Sequence, residues 1–238
     1  MSNLRTLKFY ATPEHDCSYL PGKQARTLFV DPRAVMDRSI YSQLSDLGFR
    51  RSGSHVYRPH CEACQACISV RIPVDQFQPS KTQQRIEKRN ADLIVTSLPC
   101  VMSDEYYALY ERYICQRHAD GDMHPPSQEQ FINFLVEGGV DSYFSEFRTA
   151  DGELLAVAVS DRLDQGLSAL YTFYSPEADK RSLGVYAILW QIRQAQRAGL
   201  PYLYLGYWVK ECRKMRYKTA YRPLEMLHNG EWQFVPLA

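Results

Sequence analysis

Three cysteines, Cys61, Cys64 and Cys67, stand three residues apart in one short segment of the chain. Thiolates at this spacing can converge on one zinc ion or iron–sulfur cluster, because a tight turn presents successive sulfurs to the same point. Together with Cys17 they supply four thiols, enough for a closed site that would stabilise or regulate rather than catalyse. The alternative is a loop of reduced cysteines without a metal.

A row of cations is the second group of residues whose types and spacing could bind a ligand. Lys81, Arg85 and Lys88 are spaced so that they fall on one face of a helix, with Gln84 beside them and Arg89 at the edge. Such a row can hold a phosphate backbone without reading its sequence. A solvated surface helix is the alternative interpretation.

A second basic cluster lies near the C-terminal end and alternates with aromatic residues. Aromatic rings among cations suit stacking on nucleic-acid bases, and a salt-bridged surface helix is the alternative of equal weight. The members of this cluster are Arg213, Lys214, Arg216, Tyr217, Lys218, Tyr221 and Arg222.

Composition limits the classes of protein to consider. The chain has 238 residues and 45% hydrophobic content, enough for one large domain or two small ones with a proper core. Its net charge of +1 means that any nucleic-acid site must come from local clustering. The chain shows neither a signal-peptide pattern nor an apolar run of about 18 residues, and its seven cysteines are an odd number. We therefore expect a cytoplasmic protein with reduced thiols.

The N-terminal part carries mixed elements that position the cysteines. We predict a strand at Thr27–Val30, a helix from Asp37 to Leu47 closed by Gly48, and a hairpin within 49–57. A strand at 67–74 follows the cysteines. Next come the basic helix from Lys81 to about Asn90, capped by Ser80, a strand at 91–97, and helices opening at Ser103 and Ser127.

The C-terminal part has a regular pattern. Three strands within 143–174 form a predicted antiparallel meander, and an amphipathic helix over 183–197 follows. A strand at 202–206, a short basic helix at about 211–218 and a hairpin around Asn229-Gly230 complete the chain. This order predicts an α/β (α+β) protein with an N-acetyltransferase-like acyltransferase core, whose two central strands splay apart. We expect a cysteine-containing N-terminal region at 1–78 and the acyltransferase-like domain at 79–238.

The residues at the start of the long helix indicate whether the protein could bind coenzyme A. Acetyltransferases that use coenzyme A hold its pyrophosphate on a glycine-rich turn at this place. Arg181 and Gly184 fit that turn, but Tyr186 stands where a very small residue is needed. We expect the Tyr186 ring to block coenzyme A. The helix N-terminus, with Ser182 and Gly184, could instead hold a nucleic-acid phosphate.

These features together resemble the arginyl-tRNA–protein transferases, in particular their compact bacterial branch, the aspartate/glutamate leucyltransferases. The resemblance covers nearly the whole chain, and its motifs are weak singly but specific together. In the N-terminal part it rests on segments 17–21, 25–27, 48–53, 57–67 and 80–85; in the C-terminal part it rests on 171–174, 182–184, 203–208 and 214–218.

The resemblance implies transfer of an amino acid from its charged tRNA to the N-terminal amine of a protein that begins with Asp or Glu. The product is marked for degradation as an N-degron. Leucine as the donated residue follows from the bacterial layout. Eukaryotic relatives carry an adjacent Cys-Cys pair in this region, whereas here the cysteines are spaced out, so their metal chemistry does not carry over directly.

Transfer from an activated ester needs no ATP and no cofactor, so positioning and modest proton removal should suffice. We expect Tyr171 and Tyr207 to be the catalytic pocket residues, with packing in the sheet as the alternative. Trp208 could stack on the terminal adenine of the tRNA, and Lys214 and Lys218 could hold its phosphates.

The acidic side chain of the acceptor needs a cation, for which Arg26 and Arg71 are candidates, with Tyr19 helping to shape the site. None of the six histidines receives a role. The alternatives are arginine as the donated residue, a coenzyme A-dependent N-acetyltransferase, and a non-enzymatic RNA-binding or iron–sulfur sensor module.

Overall fold

The computed structural model of the chain describes residues 4–235. The strands are β1 Phe9–Ala11, β2 His15–Asp16, β3 Gln24–Ala25, β4 Thr27–Val30, β5 Arg50–Ser52, β6 His55–Pro59, β7 Ile68–Pro73, β8 Ile94–Pro99, β9 Ser142–Arg148, β10 Leu154–Leu163, β11 Gly166–Tyr174, β12 Tyr202–Trp208, β13 Glu225–His228 and β14 Glu231–Phe234. The α-helices are α1 Arg38–Asp46, α2 Lys81–Arg89, α3 Asp104–Arg117, α4 Gln128–Phe131 and α5 Leu183–Arg197. Short 3₁₀ turns occupy Leu4–Thr6, Val74–Gln76, Pro176–Arg181 and Arg213–Ala220, and a π-helical turn occupies Ile132–Val136.

An eight-stranded sheet dominates the structure, in the order β14-β13-β7-β12-β11-β10-β9-β8. Its pairs are antiparallel except β11 and β12, which run parallel. A four-stranded sheet has the order β1-β4-β6-β5, and β2 pairs with β3. The mixed α/β class predicted from the sequence is confirmed.

The side chains of β10 show how the large sheet is covered on both faces. Val157 and Val159 pack with the aromatic core around α3, whereas Ala156 and Ala158 pack with Leu183 and Ala187 of α5. Alternate residues of a strand point to opposite faces, so α3 and α5 lie on opposite sides of the sheet.

Most predicted elements agree with the structure. The strand Thr27–Val30, the helices α1, α2 and α5, the β9–β11 meander and the final hairpin are confirmed. The helix predicted to open at Ser127 becomes a π-helical turn after one α-helical turn, and the basic helix near the C-terminus is 3₁₀. No helix in 4–235 is long and apolar enough to cross a bilayer.

Strand β7 comes from the predicted N-terminal region, yet it lies in the large sheet between β13 and β12. Its residues Ser69 and Ile68 pair with Tyr207 and Trp208 of β12. The large sheet therefore uses strands from both sides of residue 78.

The parallel strands β11 and β12 separate partway along their length. They pair from Gly166 with Tyr202 through Ser168 with Tyr204, and β12 then continues only along β7. The register of β12 against β7 shifts between Tyr204 and Gly206, and Gly206 has a left-handed φ of +80°. This bulge changes the direction of the C-terminal end of β12. A gap therefore opens between β12 and β11.

Candidate active site

The gap between the separated strands is a cavity of about 610 Å³, which we call the β11–β12 cleft. Residues 169–172 and Tyr174 of β11 line one side, and Leu205 of β12 lines the other. The remaining lining residues come from α3, α5 and the 3₁₀ turns beside them: Tyr113, Arg117, His118, Asp179, Ser182, Gly184, Val185, Ile188, Lys214 and Tyr217. The cleft therefore brings together residues that are more than 100 positions apart.

The N-terminus of α5 opens on the cleft. Ser182 holds a left-handed φ of 54° and its side chain does not cap the helix. Uncapped N–H groups at a helix start carry a partial positive charge that favours anions. Gly184 lies against Tyr174, whose Cε1 would be 3.2 Å from a Cβ at position 184. The structure thus places both residues predicted for donor binding, Ser182 and Gly184, in the cleft wall.

Tyr171 lies in the cleft within a cluster of aromatic rings. Its ring centroid is 6.3 Å from that of Tyr113 and 5.2 Å from that of Phe134. Burial raises the pKa of Tyr171 well above its ordinary value, and the neighbouring Tyr113 phenol adds to the effect. The Tyr171 hydroxyl therefore stays protonated and can donate a hydrogen bond to a developing negative charge.

His118 is a cleft residue to which sequence reasoning gave no role. It follows α3, and its Nε2 lies 3.1 Å from the Tyr113 hydroxyl. Burial lowers the pKa of His118, and the nearby Lys214 cation lowers it further. A neutral imidazole in the cleft wall can accept a proton. A lone histidine has no spacing signal, so the sequence could not have revealed this placement.

Arg50 lies beside the point where β11 and β12 separate. Its Nη1 donates to Ser168 Oγ at 2.9 Å, and its Nη2 donates to the Ala169 carbonyl at 3.0 Å. A Cβ at Gly206 would lie 3.1 Å from Arg50 Nε, so glycine lets the guanidinium approach the β12 backbone closely. Arg50 belongs to the 48–53 motif, and nothing in that motif indicates a function for this residue.

A second cavity of about 470 Å³, which we call the thiol cavity, lies on the N-terminal side of the fold. Its lining includes Cys17, Cys61, Cys64 and Cys67. The predicted catalytic Tyr207 lines this cavity rather than the cleft, and its hydroxyl donates to the Gly48 and Tyr57 carbonyls at 2.8 and 3.2 Å. The structure therefore places Tyr171 and Tyr207 in different cavities.

The four cysteines predicted as thiol ligands share this cavity. Burial raises the pKa of Cys67 to about 12, and the neighbouring Cys17, Cys61 and Cys64 thiols add to the rise. Within residues 4–235, no group of three or more His, Cys, Asp or Glu side chains has an arrangement that would hold a metal ion. The donor set suits zinc or iron chemically, and the metal site stays a prediction.

The residues predicted for acceptor binding have different surroundings. Tyr19 and Arg26 line the thiol cavity, where Arg26 pairs with Glu62 and its buried Nε has no hydrogen-bond partner. Arg71 lines neither the cleft nor the thiol cavity. Its Nε lies 2.6 Å from Glu225 and its Nη1 3.1 Å from Asp46. The guanidinium of Arg71 also stacks on aromatic rings, so its contacts are those of a structural arginine.

Helix α2 presents the predicted row of cations to solvent. Its start has a capping box between Ser80 and Gln83, and Ile86 anchors its inner side. The row residues are all exposed: Lys81, Gln84, Arg85, Lys88 and Arg89. The acidic Glu87 forms an ion pair with Arg193, whose Nε lies 3.2 Å from Glu87 Oε1. Among the ion pairs of the described residues, none involves Lys81, Arg85 or Lys88.

The other residues predicted to hold the tRNA are placed differently. Lys214 lines the cleft and pairs with both carboxylate oxygens of Asp120 at 2.9 Å. Lys218 is only 8% exposed, and its amine donates to the Tyr207 carbonyl at 2.5 Å. Trp208 packs partly buried against the core, and its Nε1 has no hydrogen-bond partner within residues 4–235. The Lys218 amine is thus turned inward, away from any surface phosphate.

Tyr186 does not fill the cleft as the sequence suggested. Its ring lies 5.7 Å from the Phe147 ring, on the face of the sheet that α5 covers. Tyr186 is the fourth residue of α5, and its side chain packs into this core rather than lining the cleft at the helix start. The expectation that Tyr186 excludes coenzyme A by bulk was wrong.

Comparison with known proteins gives matches over most of the chain. Residues 15–85 match the family described as arginine-tRNA-protein transferase, N terminus, and residues 105–228 match the C-terminus of the same family. Proteins named aspartate/glutamate leucyltransferase from Marinobacter nauticus and Pseudomonas fluorescens are both 60% identical, with 98% of each chain covered.

A solved structure, that of L-PGS from Bacillus licheniformis, is 13% identical with a TM-score of 0.47, and the match covers 70% of this chain and 49% of that one. Both halves of the sequence match the two parts of one transferase family, and the 60% identical relatives are named aspartate/glutamate leucyltransferase. The chain belongs to the arginine-tRNA-protein transferase family.

Proposed function

We propose that this protein transfers leucine from leucyl-tRNA to the N-terminal α-amine of proteins that begin with aspartate or glutamate. The observation that carries the proposal is the 60% identity, over 98% of both chains, to relatives named aspartate/glutamate leucyltransferase. The family match over both halves supports the general class of reaction. The product would carry a new N-terminal leucine and act as an N-degron in the cytoplasm.

The core is proposed to be of the N-acetyltransferase type. Two features support this: the parallel strands that separate after Ser168 and Tyr204, and the long helix α5 whose N-terminus opens on the resulting cleft. An acyl donor and an amine can meet in such a gap without crossing a continuous sheet. The leucyl ester is assigned to the β11–β12 cleft.

The tRNA is proposed to lie along α2 and reach the cleft past the start of α5. Lys81, Arg85 and Lys88 are exposed and form no ion pair with any residue the structure describes, which supports the first contact, because such surface cations can each release a counterion from a phosphate. The uncapped N-terminus of α5 supports the second, because it favours an anion. Lys214 in the cleft wall would help to position the same end of the tRNA.

The chemical step joins the amine nitrogen to the ester carbonyl carbon and breaks the bond from that carbon to the ribose oxygen. An α-amine has an unperturbed pKa of about 7.7–8.0, so a substantial fraction is neutral near pH 7.5. His118, neutral because burial lowers its pKa, is assigned to accept the proton that leaves the nitrogen. The protonated Tyr171 hydroxyl is assigned to donate to the carbonyl oxygen as it gains charge.

The leaving ribose oxygen must receive a proton for the step to balance, and the network through Tyr113 supplies a route. The His118 Nε2 and the Tyr113 hydroxyl lie 3.1 Å apart, so a proton taken from the amine can pass to the departing oxygen. No nucleotide triphosphate is required, because the ester is already activated.

The N-terminal segment of the acceptor is assigned to the thiol cavity beside Tyr19 and Arg26. Arg26 lines this cavity, and its guanidinium can donate to a peptide carbonyl. Tyr19, whose pKa burial raises, remains a neutral hydrogen-bond donor there. These contacts would hold the acceptor backbone without selecting its first side chain.

The experiment is a transfer assay with purified protein and preformed aminoacyl-tRNA. Labelled leucyl-tRNA or arginyl-tRNA is combined with peptides that begin with Asp, Glu, Lys or Ala. We expect label from leucyl-tRNA on the Asp and Glu peptides only, and none on a Glu peptide whose amine is acetylated. Transfer of arginine but not leucine would refute the donor assignment, and no transfer to any peptide would refute the transferase proposal.

A further inference from the structure

Arg50 is a buried cation without an anionic partner. It is 7% exposed, and none of the Asp and Glu side chains described in 4–235 forms an ion pair with it within 4.0 Å. The other two buried arginines behave differently. Arg51 pairs with Asp161, and Arg71 pairs with Glu225 and Asp46. The fold thus supplies carboxylates to its other buried guanidinium groups and omits one at Arg50.

A second cationic group lies close to Arg50. The Lys218 amine is 8% exposed and faces the Tyr207 carbonyl. Burial lowers the pKa of Lys218 to about 7, and the nearby Arg50 guanidinium adds to the effect. Lys218 likewise has no carboxylate partner among the described residues. Burying the Arg50 charge without a counter-charge costs free energy that a bound anion would offset, whereas Lys218 lowers its own cost by losing its proton.

The pair lies between the two cavities, and neither Arg50 nor Lys218 is among the residues that line them. Arg50 donates to the carbonyl of Ala169, which lines the β11–β12 cleft, and its charge also affects the phenol of Tyr217 in the same wall. On the other side its charge acts on Tyr57 and Tyr207, which line the thiol cavity. A residue whose backbone lies in the thiol cavity and whose amine points toward the cleft would pass beside Arg50.

We propose that Arg50, with Lys218 beside it, binds the side-chain carboxylate of the acceptor's N-terminal aspartate or glutamate and so determines acceptor specificity. This inference rests on the proposed function, since it names the residues that read the acidic acceptor. A guanidinium has five N–H donors arranged for bidentate binding of a carboxylate. Two of them are used on the neutral oxygens of Ser168 and Ala169, which orient the group and leave its charge unbalanced.

The position favours a carboxylate over a tRNA phosphate. A phosphate backbone is bulky and lies at the surface, where the exposed cations of α2 can reach it. Arg50 is enclosed by β11, by the backbone at Gly206 and by aromatic side chains. A carboxylate on a side chain of two or three carbons is the smaller of the two anions, and a nucleic-acid strand is too bulky for so enclosed a position.

The test compares kcat/KM for two peptides that differ only in Glu or Gln at the first position. The wild type should prefer Glu strongly, because only Glu supplies the missing charge. Arg50→Gln should lower kcat/KM for the Glu peptide by about 10- to 100-fold and leave the Gln peptide unchanged, as expected for loss of a charged hydrogen bond. Arg50→Lys should retain part of the preference for Glu, and it serves as the second variant if the first folds poorly.

Arg26→Gln is the matched control, an arginine in the acceptor cavity that we assign to the peptide backbone. It should lower kcat/KM for both peptides in equal proportion. The affinity of each variant for leucyl-tRNA is measured in parallel and should stay at the wild-type value. A preference for Glu that survives Arg50→Gln, an equal loss for both peptides, or weakened leucyl-tRNA binding in that variant would overturn the inference. If the wild type transfers leucine to no peptide, the proposed function fails instead.

Discussion

Replacing the cations of α2 tests the proposed tRNA surface. The variant Lys81→Gln, Arg85→Gln, Lys88→Gln removes three positive charges that have no ion-pair partner among the described residues. Glutamine has a helix propensity close to that of lysine and arginine. The capping box at Ser80 and the buried Ile86 are untouched, so α2 should still form.

The size of the effect follows from counterion release. Each phosphate contact contributes about 0.9 to the slope of log K against log salt concentration. Loss of three contacts should lower the magnitude of that slope by about 3. If the variant and wild-type affinities converge near 1 M salt, the dissociation constant for leucyl-tRNA should rise on the order of 500-fold at about 0.1 M.

The assay is leucyl-tRNA binding measured across a salt series, with circular dichroism to confirm the fold. A control variant loses the same charge from arginines that already hold carboxylates: Arg33→Gln, Arg38→Gln, Arg162→Gln, whose partners lie 3.1, 3.1 and 2.7 Å away. Its slope should stay near the wild-type value. Equal slopes for the wild type and the α2 variant would show that this row is only a solvated surface.

Three further changes test the interior and the cleft. Asp161→Asn leaves the fully buried Arg51 without its carboxylate, so the free energy of unfolding should fall by about 3–5 kcal/mol in urea denaturation. Because burial lowers the pKa of Lys218 to about 7, the folded chain binds fewer protons than the unfolded chain above that pH, and the wild type gains stability as pH rises. The stability advantage of Lys218→Met over the wild type should therefore shrink by about 2 kcal/mol between pH 7 and pH 9. Tyr171→Phe should lower kcat by about 100-fold with little change in KM.

Each of these has a control and a contradictory result. Asp141→Asn, at a half-exposed pair, should cost at most about 1 kcal/mol, and an equal cost at both positions would contradict the buried-pair argument. If the difference in unfolding free energy between Lys218→Met and the wild type does not change with pH, the folded chain does not lower the pKa of the Lys218 amine. Full activity of Tyr171→Phe would remove that hydroxyl from the mechanism.

Local patterns let the sequence predict several elements closely. Helix α5 was predicted over 183–197 because its apolar residues recur at helical spacing and Gly199 ends it. Helix α2 follows from Ser80 and Gln83, which form the capping box that stabilises its start. The meander follows from alternation and turn residues. In each case the signal lies within one element.

The sequence does not predict features that depend on pairing between distant segments of the chain. The place of β7 between β12 and β13 depends on partners more than 100 positions away. Arg71 seemed available to an acceptor because its partner Glu225 lies 154 positions along the chain. Tyr207 faces the thiol cavity because a bulge between Tyr204 and Gly206 breaks the two-residue alternation of β12.

The candidate site shows the same division. Ser182, Gly184 and Tyr171 were predicted, and they line one cleft. Arg50 and His118 received no role, because their meaning depends on burial and on which charges lie nearby. A missing counter-charge is visible only once the neighbours are known in three dimensions.

Mapping the position of the donated leucine tests the central claim most directly. A leucyl-tRNA whose leucine side chain carries a photoreactive diazirine is bound to the wild-type protein without acceptor, irradiated, and the labelled residues are identified by mass spectrometry. We predict labels on cleft residues such as Tyr171, Tyr174 and Val185. Labels confined to thiol-cavity residues such as Tyr19 and Cys61 would contradict the assignment of the leucyl ester to the β11–β12 cleft.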